Sequence, residues 1–235
     1  MKAHDWFAVG IDFVIVVIGV FIGIQVANWN DVQTNQADLK TSLQRLSKEV
    51  TQNTNVIDKV LGDYDRGRAN RNLARKALDS CNDSPEARAA LDRLLFDLVG
   101  DVQPNFSFVV LEQLAGEGRY QGLLSEAFQE EFGSYTARVN EEYEQLGSHY
   151  ERMWSHHVIF HPSVDAYFPG DIESSDGDWG FRLAKPFSET CADPTFRSLF
   201  INTIGFYQSI GNRLQRLRAE IEPFQAALEA EIQRL

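Results

Sequence analysis

Basic residues are scarce in this chain: 22 Lys and Arg stand against 34 Asp and Glu, a formal net charge of −12. That deficit argues against nucleic acid or anionic lipid headgroups as partners, because binding a polyanion needs clustered positive charge. Cysteine is rarer still. Two residues, Cys81 and Cys191, cannot build a disulfide-dense scaffold, and without C-x-x-C spacing they do not read as a redox pair. There is no G-x-S-x-G elbow, no phosphate-binding loop, no G-x-G-x-x-G turn and no H-E-x-x-H, so neither an enzyme nor a cofactor is expected. Strand-period alternation is not convincing anywhere, and no solenoid-length repeat occurs.

The chain does contain one long apolar run. Residues 7–27 are interrupted only by Asp12 and Gln25, and a helix of that length covers a hydrocarbon core of roughly 30 Å. A cleaved signal would have a shorter apolar core, a basic start and small residues before the cut. Here MKAHDW has one lysine, and Gln25 sits two places before Ala27, so an uncleaved anchor is expected. Trp6 and Trp29 bracket the run as interfacial tryptophans would. Counted instead as residues 13–29, the span leaves Asp12 at the interface, near the positive end of the helix dipole. Lys2 precedes the run and the next basic residue is Lys40, so the short end is expected in the cytoplasm and residues 32–235 outside it, in the periplasm. Gly19, Gly23 and Ala27 fall on one helical stripe where a second helix could approach closely.

The string GIDFVIVVIGVFIGIQVANWND, residues 10–31, resembles the opening of a large bacterial family of uncharacterised single-pass membrane proteins. That family's pattern is an acidic residue, V-V-I-G-I, apolar positions leading to L-Q, then N-N-W-N-E. A looser similarity covers FVVLEQLAGEGRYQGLLSEAFQEEFGSYTARV, residues 108–139, which departs from the family in carrying Glu117 and Arg119 around the glycine. The resemblance implies an anchored helical extracytoplasmic domain. It brings no activity, substrate or catalytic residue.

Beyond the run the chain reads as helix. Leu39, Leu43, Leu46, Val50, Ile57, Val60 and Tyr64 recur on alternating spacings of four and three, with Asn53 in the polar slot. The seam is expected to continue the span as a stalk and to pack on the protein's own later helices; an asparagine in such a seam can also fix oligomeric register. Ser84-Pro85-Glu86 and Asp193-Pro194 are helix starts, cap followed by proline. Residues 107–114 and 123–149 read as helices, and Pro223 as a kink or restart in the last one. The expected fold class is therefore all-α: a transmembrane helix, residues 1–31, continuing into a helical-bundle domain, residues 32–235, with one irregular loop at about 161–191.

Four groups of residues remain as candidate sites. Cys81 and Cys191 each precede a proline-initiated helix and most simply pair in an oxidising compartment, the alternative being two buried thiols. His156, His157 and His161 have spacing that could hold a metal, but no fourth ligand is defined and ordinary boundary histidines are favoured. DIESSDGD lacks the alternating acids of a calcium loop. Tyr167, Phe168, Trp179 and Phe181 place aromatic rings in the irregular region, as partner contacts or as the loop's own small core. These features point to a non-enzymatic accessory or scaffold subunit of an inner-membrane assembly, with the lipid bilayer and other membrane subunits or a second copy as partners and no nucleic acid. A periplasmic ligand-sensing domain is the alternative; with about six residues before the span, its signal is expected to pass through a partner.

Overall fold

The structure is a computed structural model that describes residues 3–97, 104–120, 122–167 and 180–235; the side chains of 3–9, 12, 96 and 97 lie outside the description. Among the described residues the protein is 84% helical, which places it in the all-α class. Six helices follow one another among the described residues: α1 (Ala3–Ser80), α2 (Pro85–Asp97), α3 (Val109–Gly116), α4 (Glu126–Ser155), α5 (Phe187–Ala192) and α6 (Pro194–Arg234). Two strands, β1 (Val164–Tyr167) and β2 (Gly180–Leu183), lie between α4 and α5. The chain divides into two compact units. One comprises Met1–Glu49, Phe108–Glu131 and Gln225–Leu235, the other Val50–Ser107 and Phe132–Phe224.

In the first unit, α1 begins as an apolar helix. An 18-residue stretch has a mean hydropathy of 1.9 and none of it is buried, so this helix is long and apolar enough to cross a bilayer. From Leu39 the seam turns inward, and Leu39, Leu43 and Leu46 are at most 1% exposed. Leu111 and Leu114 of α3, Tyr120 of a short 3₁₀ turn, Phe128 of α4 and Leu228 of α6 are buried in the same unit. α3 is only eight residues long and its N-cap, Phe108, has no capping side chain. Glu49 supplies the missing acceptor: its buried carboxylate takes the N–H groups of Val110 and Leu111 at 3.0 and 3.1 Å. A carboxylate is favoured there twice over, by the two hydrogen bonds and by the positive end of the helix dipole. The same device opens α4, where buried Glu231 of α6 accepts from the N–H and hydroxyl of Ser125 at 2.9 and 2.7 Å. Ser125 in turn caps Phe128 N–H at 3.3 Å.

In the second unit, α6 carries the longest seam. Phe196, Phe200, Thr203, Tyr207, Ile210, Leu214, Leu217, Ile221 and Phe224 are all buried, on spacings of four and three. Phe224 stacks on Tyr135 of α4 with ring centroids 3.8 Å apart and planes at 3°, an arrangement worth about 1 kcal/mol beyond the area it buries. Gly211 lets Tyr64 of α1 approach, since a Cβ at 211 would lie 3.3 Å from its ring. Val50 and Ile57 are buried, whereas Val60 and Tyr64 are only half-buried. Asn53 gives and receives a hydrogen bond with the main chain of Ser107, at 2.8 and 3.0 Å, so the polar slot of the seam is occupied from within this chain.

Helix starts follow their signatures. Ser84 accepts from Ala87 N–H at 3.2 Å, and Asp193 accepts from Thr195 and Phe196 N–H at 2.8 and 3.3 Å. α1 ends where Asn82 N–H reaches back to Ala77 C=O at 3.1 Å, with Cys81 in the left-handed region at φ 47°. Arg197 of α6 donates to the free carbonyl of Leu78 at 2.7 Å.

Several expectations are corrected. α4 runs to Ser155 and not to His149, and α3 starts at Val109, where Glu49 caps it. Pro223 does not restart α6, which continues to Arg234 although the proline has no N–H for the carbonyl four residues back. The region 161–191 is not irregular throughout. β1 and β2 pair antiparallel there, with Val164 opposite Leu183 and Tyr167 opposite Gly180, and Ala184 N–H closes the base on Ser163 C=O at 2.9 Å.

Candidate functional site

The segment of residues 13–29 is uniformly exposed, with side chains such as Phe13, Val16 and Phe21 between 61 and 69% accessible. Trp29 at its end is 66% exposed. A soluble helix does not present apolar side chains around its whole circumference to water; a surface of this size marks contact with lipid or protein. Gly19 and Gly23 have no atom within 4 Å of where a Cβ would stand. Together with exposed Ala27 they leave a shallow stripe along an unpartnered helix. The side chains of Trp6 and Asp12 lie outside the described residues. Past Trp29 the collar of residues 30–34 is exposed and polar except for Val32, and cover begins at Asn35 and Gln36, both half-buried.

The three histidines do not converge on a metal, and no group of three or more His, Cys, Asp or Glu suited to one is found among the described residues. α4 ends at Ser155, so His157 and His161 do not share a helix face. Each instead organises its own backbone. His157 Nδ1 accepts Ile159 N–H at 3.2 Å and His161 Nδ1 accepts Ser163 N–H at 3.1 Å, both rings being buried. His161 Nε2 faces Asp193 Oδ2 at 3.3 Å. Asp193 is held below the usual carboxylate range, first by Thr195 N–H and Phe196 N–H and then by His161 and Lys185. His156 is exposed and bonds to Ser155 Oγ at 2.9 Å.

Cys81 and Cys191 are joined, with Sγ atoms 2.12 Å apart and a sequence separation of 110 residues. The bond ties the end of α1 to α5 within the second unit. Of the aromatic quartet, Tyr167 is 37% exposed with the Arg182 guanidinium 5.4 Å from its ring, and Phe181 is half-buried. Phe168 and Trp179 lie outside the described residues. A different aromatic pair stands out in the same unit: Phe160 is 67% and Trp154 40% exposed, with Trp154 stacked on His157 at 5.3 Å. Sequence reasoning passed over it because W-x-x-H-x-x-F at a helix end has no distinguishing pattern. The groove lined by Asn70, Leu73, Pro85, Glu86 and Arg93 is open to solvent and has no buried polar side chain facing it.

These features define a class: a predominantly α-helical protein with one long, apolar, exposed N-terminal helix. The chain matches no protein-family model, no curated protein and no solved structure.

Proposed function

We propose that the protein is a membrane-anchored, non-enzymatic accessory or scaffold subunit, holding a helical domain at the periplasmic face of a bacterial inner membrane for contact with other membrane subunits. The observation that carries this reading is the bare apolar segment of residues 13–29, which continues without a break into the packed seam that starts at Leu39. An apolar surface with no cover inside the chain needs lipid or another helix around it. The likeness of residues 10–31 to the anchor of single-pass bacterial proteins supports the same reading, as does the disulfide, which belongs to an oxidising compartment. Lys2 before the span, with no basic residue after it until Lys40, favours a cytoplasmic N-terminus.

The test is extraction in mild detergent, followed by identification of what co-purifies, for the parent chain and a Gly19→Leu plus Gly23→Leu variant. The open space at both glycines lets leucines be built without disturbing the rest of the chain. Specific partners that the variant loses would support the reading. A chain that emerges alone, with the variant indistinguishable from it, would remove the docking role from the span.

A further inference from the structure

The anchor reading has a geometric consequence. The part of the seam from Leu39 to Leu46 is buried in the first unit, and cover of α1 begins at Asn35. Asn35 lies six residues beyond Trp29, a rise of about 9 Å. The polar layer on each side of a bilayer is about 5–7 Å thick. The folded body therefore begins at the outer limit of the headgroups.

The parts of the first unit at this level can be named. Arg119 of the Gly118–Tyr120 turn reaches Asp38 at 4.0 Å, and Arg234 of α6 donates to Leu123 C=O at 2.5 Å. Leu123 and Leu124 are half-exposed, and Gly122 is exposed. Both arginines at this foot are paired with carboxylates. Arg119 pairs with Glu117 at 3.0 Å as well as with Asp38, and Arg234 pairs with Glu231 at 2.6 Å. Lys40, half-buried on α1, brings the cations to the same number as these carboxylates. A surface of paired charges and leucines has no excess positive potential to draw anionic lipid.

We propose that this foot, residues 117–120 and 122–124 with the last turn of α6, rests on the headgroup layer of zwitterionic lipid and sets the height of the body above the bilayer. The proposal rests on the anchor reading, and the experiment separates their failures. The full chain is reconstituted in phosphatidylcholine nanodiscs containing a headgroup-nitroxide lipid, with a fluorophore on one introduced cysteine; the two native cysteines are bonded to each other and do not label. Three positions are compared: Asn30→Cys beside the span, Gly122→Cys at the foot, and Val109→Cys. Val109 is 68% exposed and adjoins the Glu49 contact, which lies about 30 Å along α1 from Trp29.

Quenching at 122 at least half as strong as at 30, with none at 109, is the expected result. Seven residues inserted after Thr34 raise the foot by about 10 Å and should abolish quenching at 122 while leaving 30 unchanged. Quenching at 122 no greater than at 109, with 30 quenched, would overturn the foot and leave the anchor standing. Quenching at 122 only after phosphatidylglycerol is added would overturn the zwitterionic assignment. An unquenched label at 30 would overturn the anchor and the foot together.

Discussion

Replacing Glu49 tests whether a side chain of α1 makes α3 a helix. α3 has eight residues, well below the length of about 12–15 at which an isolated helix becomes even marginal, and its own N-cap residue contributes no acceptor. The Glu49 carboxylate satisfies two of the first N–H groups from a buried position. Hydrogen bonds to a charged group contribute about 1.5–3 kcal/mol each, and loss of an N-cap costs about 0.5–2 kcal/mol. Glu49→Ala leaves both donors buried without this acceptor, so about 3 kcal/mol is expected, a little over a hundredfold in the opening equilibrium of α3. Glu49→Gln keeps one acceptor oxygen but turns an amide N–H₂ toward the second donor, and about 1.5 kcal/mol, or roughly tenfold, is expected. Hydrogen exchange of the peptide containing α3, measured on the full chain in detergent, reads both values directly. Exchange within about twofold of the parent for both variants would refute the capping role. Equal acceleration of peptides in the second unit would mean that global stability, and not local capping, had been measured.

Other outcomes follow from the same contacts. Burial alone would raise the carboxyl of Glu231, but its hydrogen bonds to Arg234 and to Ser125 outweigh that and hold it below its ordinary value. Its folded pKa is depressed, so its contribution to stability is present above about pH 4.5 and is lost as the pH falls through the folded value. Glu231→Gln should therefore flatten the stability profile below that pH, and an unchanged acid limb would count against the cap. Cys81 and Cys191 close a loop across 110 residues, and Cys191→Ser together with Cys81→Ser should lower stability by about 4–5 kcal/mol in the chain-entropy picture. Denaturant titration checks this, and a loss below about 1 kcal/mol would show that the unfolded chain is not constrained as that picture requires. Gly211→Leu should cost more than about 1 kcal/mol, because its Cβ would already stand 3.3 Å from the Tyr64 ring and the rest of the side chain must find room beyond it; a variant as stable as the parent would mean that the ring moves aside freely.

Local chemistry made much of the helical skeleton readable in advance. Ser84-Pro85-Glu86 and Asp193-Pro194 mark helix starts through contacts within three residues, so a linear reading finds them. The seam through Leu39, Leu43 and Leu46 is legible because its period is set by the helix itself. Long-range partners left no such trace. Glu49 looks like one more surface acid in a heptad, and only folding brings it to Val110. Asn53 was open to two readings, oligomer register or intrachain pairing, and Ser107, fifty-four residues away, occupies it. The hairpin escaped notice because each strand has four residues and β1 is buried only at Val164, so neither carries an alternating signal. His157 and His161 were at the right spacing for ligands, but spacing cannot reveal that each Nδ1 accepts a main-chain N–H two residues ahead. Within the candidate site, composition alone delimited the apolar segment, whereas the short reach from Trp29 to the folded body at Asn35 required the structure.

The central claim is that residues 13–29 remain part of the mature protein and hold it in a bilayer. It is tested most directly by N-terminal sequencing and intact mass of the protein recovered from carbonate-washed membranes. The account predicts a chain that still carries Trp6 through Trp29 and stays in the membrane pellet at alkaline pH. A chain beginning after Ala27, released into the soluble fraction, would contradict it.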